Sequence, residues 1–429
     1  MPTSLLLTPA RIPRPQHSLS RKNLSPSALY VLYQLHRAGY QAYLVGGGVR
    51  DVLLQHTPKD FDVVTNARPE QIKDLFPRQC RLIGRRFVLA HVHCNDEIIE
   101  VSTFRSHFDE QGERIIKEGM IIRDNVYGQT VDEDASRRDF TVNALYYDIS
   151  DFSLLDYANG LQDLQDKRIR LIGEPELRYQ EDPVRMLRAL RFAAKLNFSL
   201  DHSTADPIPH LSHLLAHIPP ARLYEETLKL FLSGHAVSSF KLLQQYPLFK
   251  QLFPYTESCF EKTEDLQLIQ QALENTDQRI LAQKPVAPAF LLAVLLWPPL
   301  MSRIPEKLAK GIPPQETLLE TGYQLLIQQN RHVSIPKRIY VLMQEIWLLQ
   351  TRLIKLHKNK KALKLTQHPR FRAAYDFLLL RSTIDDSLQP TADWWKLYQD
   401  GDAETRTTLT KTTSRQQRRR SPKTDATPP

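Results

Sequence analysis

Two aspartates separated by one residue, Asp60 and Asp62 in K-D-F-D, lie a short distance downstream of three glycines and an arginine in Y-L-V-G-G-G-V-R-D. If Phe61-Asp62-Val63-Val64 is a strand, residues i and i+2 share a face, and the two carboxylates stand side by side. Like charges at that spacing repel unless a cation lies between them. Hard oxygen ligands suit Mg²⁺, which commonly combines one or two carboxylates with substrate phosphates. Upstream, Tyr43-Leu44-Val45 reads as a short buried strand and Val49 to Leu54 as the start of a helix, which makes Gly46, Gly47 and Gly48 the turn between them. Glycine lets the backbone approach a ligand, and a helix N-terminus favours phosphate. Arg50 is then placed to grip a phosphate oxygen with its guanidinium fork. Each half alone is weak, because the glycine spacing is neither a dinucleotide fingerprint nor a Walker A loop, and an isolated D-x-D is usually an exposed turn. Together they predict a nucleotide and its metal held for phosphoryl or nucleotidyl transfer.

Two further stretches extend this chemistry. Arg137-Arg138-Asp139 precedes a segment alternating at Thr141, Asn143 and Leu145. Read as a strand, it brings Asp139 towards the carboxylate pair while the arginines face a triphosphate. Glu100, in I-I-E-V-S-T-F-R, is a competing acid in mid-strand, where an unpaired charge is costly. It either joins the metal site or pairs with Arg105 or Arg86. In E-D-P-V-R-M-L-R-A-L-R-F, Asp182 is a natural N-cap and Pro183 a natural first helical residue. Arg185, Arg188 and Arg191 then fall three apart as one cationic stripe, with Leu187, Leu190 and Ala194 towards a core. His91, His93 and Cys94 lack a fourth ligand at sensible spacing and alternate in facing, which argues against zinc.

The elements that must position these residues follow from punctuation. The chain has 429 residues and a net charge of +9, which implies more than one domain and favours a polyanionic partner. Three cysteines, Cys80, Cys94 and Cys259, make a disulfide framework unexpected and point to a reducing cytoplasm. The first residues lack the apolar stretch of a signal peptide. The most apolar run, Ala287 to Leu300, is short and contains Pro288, Pro298 and Pro299, so it reads as a core helix, and no membrane insertion is expected. Residues 1–23 form a loose basic extension. Ser25-Pro26 opens a helix that Gly39 ends. From 24 to 166, strand-like runs at Arg81–Val92, Ile98–Phe104 and Thr141–Ile149 mix with helices, an α+β head, while Ser106–Ala135 reads as a mobile loop. Helical periodicity then takes over at Pro183–Leu196, Pro220–Leu232, Pro336–Leu356 and Phe371–Leu380. This divides the remainder into a helical neck (167–235), a helical body (236–400) and a basic tail without periodicity (401–429), expected to be disordered.

The segments G-G-G-V-R-D, K-D-F-D, R-R-D-F-T-V-N-A-L and E-D-P-V-R-M-L-R-A-L-R-F, in that order, resemble the class II nucleotidyltransferases, the bacterial CCA-adding enzymes and poly(A) polymerases of the DNA polymerase beta-like superfamily. The resemblance is strong from about Leu24 to Leu232 and weaker beyond. It implies a nucleotidyltransferase head followed by an all-α neck and body. By this resemblance Asp60, Asp62 and Asp139 form the acidic catalytic set, with Mg²⁺ on Asp60 and Asp62. Gly46, Gly47, Arg50, Arg138, Asn143, Arg188 and Arg191 would border the nucleotide, and Asp182 and Arg185 would hydrogen-bond the base edge in place of a template. Within the family, L-I-G-R-R-F-V-L-A-H-V at Leu82–Val92, where Arg85 and Arg86 would meet nucleotide or primer, and the extended body and basic tail point to poly(A) polymerase. The implied reaction is template-independent addition of AMP from ATP to RNA 3′ ends. CCA addition is the alternative within the family, and a catalytically silent RNA-binding scaffold the alternative outside catalysis. For an RNA-handling chain the tail residues Arg415, Arg418, Arg419 and Arg420 are phosphate contacts, and RNA-decay proteins are conceivable partners.

Overall fold

The structure, a computed structural model, describes residues 8–84, 87–106, 114–117, 120–124, 126–309 and 311–418. The chain divides into two compact units between Leu215 and Ala216. That division falls inside the stretch 167–235 that the sequence presents as a separate neck.

In the first unit the strands are β1 (Ala10–Ile12), β2 (Ala42–Val45), β3 (Asp62–Thr65), β4 (Cys80–Ile83), β5 (Leu89–Cys94), β6 (Glu97–Thr103), β7 (Arg114–Lys117), β8 (Met120–Asp124), β9 (Leu145–Asp148) and β10 (Leu154–Asp156), with a short parallel pair, Arg168–Ile169 and Ser199–Leu200, besides. Eight of them form one sheet in the order β1-β10-β9-β2-β3-β6-β5-β4, and β7 pairs with β8 as a separate hairpin. Within the large sheet only β3 and β6 run parallel. The helices around it are α1 (Pro26–Arg37), α2 (Gly47–Leu53), α3 (Pro69–Leu75), α4 (Val131–Arg137), α5 (Gly160–Gln165), α6 (Pro175–Glu181) and α7 (Val184–Leu196). The start of α1 follows its sequence signal. Ser25 Oγ accepts the Ala28 N–H at 3.0 Å, Pro26 opens the helix, and Gly39 takes φ +86° just beyond its end. Ala28, Val31, Leu32 and Leu35 are its buried stripe, and all four residues of β2 are buried.

Four expectations change. The extension 1–23, read as loose, contributes β1, which pairs antiparallel with β10 at the edge of the large sheet. The segment 106–135 holds β7, β8 and the start of α4, which a Thr130–Glu133 capping box opens; residues 107–113, 118–119 and 125 lie outside the described set. Thr141–Asn143 is a 3₁₀ turn, and the strand begins only at Leu145. The tail, read as disordered from 401, is a helix over Ala403–Arg418. Asp402 Oδ1 caps it by accepting the Thr405 N–H at 2.8 Å, and Leu409 packs against buried residues around Trp395. Arg406 turns back to donate to the carbonyls of Tyr398 (2.9 Å) and Gln399 (3.0 Å), closing the preceding helix Gln389–Asp400. Arg415 and Arg418 fall on the Ala403–Arg418 helix, whereas Arg419 and Arg420, like Arg85 and Arg86, lie outside the described residues.

The second unit is helical. Its core includes Trp347 and Trp395, both fully buried, whose indole N–H groups donate at 2.9 Å to the Ala293 and Leu353 carbonyls. The apolar run becomes two helices, Pro288–Leu295 and Trp297–Ala309, bent by 47° between them. Among the described residues no single helix is long and apolar enough to cross a membrane. Leu291 to Leu296 are 0–3% exposed, which identifies their use as core.

One glycine in the first unit fixes the loop that carries Asp139. A Cβ at Gly160, the first residue of α5, would lie 2.3 Å from the Thr141 carbonyl oxygen. Thr141 Oγ1 also donates to Asp163 Oδ2 on α5 at 2.7 Å. Gly160→Ala must therefore push the 139–143 loop away from α5. Overpacking of this kind costs about 1–3 kcal/mol, to be read as a lower urea midpoint.

Candidate active site

The register of three strands gathers the acids. Val45 on β2 faces Asp62 on β3, Asp62 faces Glu100 on β6, and Glu100 faces His91 on β5, so these side chains form one row across one face of the sheet. Asp60 lies two residues before Asp62 and is exposed, while Phe61 between them is buried. Burial, then Glu100, then Asp60 push the Asp62 carboxyl up to about 6 against the opposing pull of Arg138. Among the described residues no hydrogen bond or ion pair takes up this carboxylate. Glu100 approaches His91 Nε2 at 3.5 Å; of the two arginines expected from sequence, Arg86 lies outside the described residues. A cluster of hard oxygen donors repelling one another suits a divalent cation. Among the described residues no group of three or more His, Cys, Asp or Glu side chains forms a metal shell by itself, so phosphate and water would supply the remaining ligands.

The glycine turn brings the cationic side of the site to this row. Gly46 has φ +75° and ψ −141°, and a Cβ there would lie 3.4 Å from Asp62 Oδ2 and 3.7 Å from Arg138 Nη1. The backbone conformation is what calls for glycine, since a Cβ would make only ordinary contact with these two groups. The helix already starts at Gly47, so Gly47 and Gly48 belong to its first turn rather than to the loop. A Cβ at Gly48 would sit 3.0 Å from the Phe61 ring and 3.1 Å from the Asp60 carbonyl, and its absence lets α2 lie directly on the carboxylate strand. Arg138 is aimed by two partners. Its Nη2 pairs with Asp134 Oδ2 at 2.9 Å and its Nε donates to the Tyr146 hydroxyl at 2.8 Å, while Tyr146 donates to Asp134 at 2.8 Å. Burial opposes the charge on Arg138, but Tyr146 and Asp134 outweigh it and hold the guanidinium firmly protonated.

Arg50 differs from its expected role. It is 1% exposed, with Nε and Nη2 on Asp51 Oδ1 (2.8 and 2.6 Å) and Nη1 on Asn143 Oδ1 (2.7 Å). It braces the turn from inside instead of projecting towards a phosphate, because Asp51 and Asn143 together satisfy its fork. Asn143 Nδ2 in turn donates to Asp139 Oδ1 at 3.3 Å, and the Asp139 Oδ2 atom receives Nε (2.9 Å) and Nη2 of Arg188. Burial alone would raise the Asp139 carboxyl, yet Arg188, with the Phe140 N–H and Asn143, holds it well below the usual carboxylate range. Asp139 thus meets arginine and amide groups from α7 and its own loop, and the acid across the sheet from Asp62 is Glu100. The sequence pattern could not distinguish the two, since the pairing of β3 with β6 is long-range and the Arg188 partner lies on another element.

The helix α7 starts at Val184 with Pro183 at its cap, one residue later than expected, and Asp182 is 8% exposed just before it. The arginines of α7 do not form a free stripe. Arg188 is held by Asp139, and Arg50, Arg188 and Arg191 all lie over the Phe192 ring at 4.8–5.4 Å. Arg185 Nη1 donates to Glu181 Oε2 (2.6 Å) and to the Arg178 carbonyl (2.7 Å), leaving Nε and Nη2 without partners among the described residues. Arg178, 7% exposed, completes this cradle. Its Nη1 shares Glu181 Oε2 (2.6 Å), and its Nη2 donates to the carbonyls of Arg137 (2.9 Å) and Arg138 (2.8 Å). Burial and the neighbouring Arg185 push Arg178 down to about 10. Glu181 and Arg178 were not singled out in the sequence, although the glutamate heads the motif that was.

Comparisons with known proteins fit this geometry. The chain matches the family described as poly A polymerase head domain over residues 42–170, a probable RNA- and SrmB-binding site of polymerase A over 197–260, and a polymerase A arginine-rich C-terminus over 310–426. Poly(A) polymerase I of Salmonella typhimurium is 50% identical over 400 residues, covering 90% of this chain and 85% of the relative. The Haemophilus influenzae poly(A) polymerase I is 45% identical, covering 92% and 89%. A CCA-adding enzyme of Bacillus subtilis is 38% identical over 52% of this chain and 55% of its own. Among solved structures, the Bacillus stearothermophilus CCA-adding enzyme in complex with CTP aligns with a TM-score of 0.59 at 24% identity, covering 86% and 81%, a likeness of fold.

The raised Asp62 carboxyl carries a stability consequence. The folded chain binds that proton more tightly than the unfolded chain, whose ordinary value is 3.8. Its favourable contribution is therefore complete below about pH 4 and is lost as pH rises through about 6. In EDTA at neutral pH, Asp62→Asn should stabilise the protein by on the order of 2 kcal/mol. Thermal melts from pH 4 to 8 check this: the gain should shrink towards acid pH, and added Mg²⁺ should raise the wild-type midpoint more than that of the variant.

Proposed function

Because the chain belongs to the bacterial poly(A) polymerase family and is a nucleotidyltransferase, we propose that it extends RNA 3′ ends with AMP from ATP, without a template. The observation that carries the reading is the row that sets Asp62 beside Glu100 under Gly46, where Arg138 supplies positive charge. The match over 197–260 to a probable RNA-binding segment supports RNA as the acceptor. In the reaction the RNA 3′ oxygen forms a bond to the α-phosphorus, the bond from that phosphorus to the bridging oxygen of pyrophosphate breaks, and the hydroxyl proton passes to solvent.

Asp60 and Asp62 are the residues that would hold Mg²⁺, and the repulsion that Glu100 and Asp60 exert on Asp62 is the structural reason that a cation fits there. When bound, two such ions supply activation of the 3′ hydroxyl and stabilisation of the leaving pyrophosphate. Gly46 and Gly47 let the triphosphate approach the backbone, and Arg138 meets its charge. Asp182 and the two unpartnered nitrogens of Arg185 read the adenine edge, with Glu181 and Arg178 fixing the direction of Arg185. Arg50, Asn143, Asp139 and Arg188 keep the glycine turn and the base-reading helix in register, and Arg191 adds charge beside Phe192.

Asp60→Asn and Asp62→Asn should each reduce incorporation of labelled ATP by about 10²–10³-fold or more while leaving RNA affinity nearly intact. Full activity in either variant would remove the metal assignment. A generic RNA primer offered each nucleotide separately should give a long ladder only with ATP. Addition limited to C, C and A on a trimmed tRNA, with no growth of generic RNA, would assign CCA addition instead. Arg185→Ala should lower discrimination between ATP and CTP by about 5–150-fold, the equivalent of about 1–3 kcal/mol for a paired base-edge contact.

A further inference from the structure

We infer that the helical second unit carries a binding groove of its own for single-stranded RNA, lying between helices Thr263–Leu281 and Phe371–Ser382. An open groove of about 870 Å³ is lined by these two helices and by the segment 284–290 that follows the first. Its residues lie outside the stretch 197–260 matched as RNA-binding. The lining contains three cations, Arg279, Lys284 and Arg372, against one acid, Asp376. Arg372 Nε pairs with Asp376 at 3.0 Å, so that acid is already engaged. Arg279 donates only to the Pro285 carbonyl (3.1 Å), and neither it nor Lys284 has an ion pair among the described residues. Two exposed, uncompensated cations therefore face one groove, which suits a polyanion and disfavours an apolar or cationic occupant.

The rest of the lining suits a nucleic-acid chain better than a simple anion. Phe290 is half-buried and braced edge-on against Phe377, with ring centroids 6.2 Å apart at 78°, which gives the groove a fixed aromatic wall. Asn275 and Gln278 are exposed on helix Thr263–Leu281 and add amide groups to the lining. Sequence-tolerant single-strand binding uses this combination, cations for the backbone and an aromatic surface for stacking. An acidic peptide would engage the cations and make no use of the aromatic wall.

The inference rests on the RNA-extending reading above for the identity of the polyanion. Its test is direct binding of a fluorescent oligoadenylate to the full chain across a potassium chloride titration, without nucleotide. In the surface charge reversal Arg279→Glu/Lys284→Glu/Arg372→Glu, with a native circular dichroism spectrum, affinity should fall about tenfold or more. The log-log salt slope should flatten by about 2, from roughly 0.7 per lost phosphate contact. On the wild-type chain, 4-thiouridine RNA should photo-crosslink to peptides from 284–290 or 369–383. Unchanged affinity and slope in the folded variant, crosslinks confined to other segments, or loss of polyglutamate binding with RNA binding unaltered would each overturn the groove. Wild-type extension with ATP is measured in parallel. A missing ladder would defeat the polyadenylation reading alone, whereas an intact ladder with unaltered RNA binding in the variant would defeat the groove alone.

Discussion

The part-buried ion pair between Asp139 and Arg188 joins two parts of the chain that have no local reason to meet. Asp139 stands on the loop between α4 and β9, Arg188 one turn into α7, and the pair continues through Asn143 to Arg50 and Asp51 under the glycine turn. Lys195 reaches Asp51 at 3.5 Å from the far end of the same helix. The result is a chain of ion pairs, Arg50–Asp51 the buried one among them, linked through the neutral Asn143 amide. Removing one member of a buried pair leaves an uncompensated charge and costs about 3–5 kcal/mol, much more than the intact pair contributes against an apolar substitute. The value of the series is therefore geometric. It fixes where α7 stands relative to the sheet.

The carboxylate row works by the opposite principle. Asp62, Glu100 and Asp60 oppose one another, Arg138 offsets only part of that repulsion, and the fold tolerates this because most of the sheet around them is apolar core, including Val45, Val64, Phe104 and Tyr146. The same head thus contains one acid whose charge is satisfied by protein, Asp139, and one, Asp62, that no described residue pairs with. Destabilised groups of this kind commonly mark functional sites.

Much of this was legible in sequence wherever the determining interaction is local. The i, i+2 spacing of Asp60 and Asp62, the Ser25 cap of α1 and the helices after residue 183 all depend on neighbours a few residues away. What depends on distant pairing was not legible. Glu100 could be recognised as an acid in a strand, but its place beside Asp62 needs the parallel β3–β6 register, and its partner His91 needs the β5–β6 register. Arg50 reads as an outward phosphate ligand until Asn143, far along the chain, is brought to its fork. Thr141–Asn143 shows a period of two without being a strand, because a 3₁₀ turn packed on Gly160 occupies that space.

The C-terminal segment illustrates how charge counting alone can misplace a boundary. Arg406 is one of the basic residues that made the end of the chain look like a soluble appendage, yet it closes the helix before it, and Leu409 joins the apolar cluster around Trp395. In modular terms this end is not detachable at Asp402. A transferable polycationic segment begins only beyond Leu409, and any shorter cut takes away part of the hydrophobic interior together with the charge.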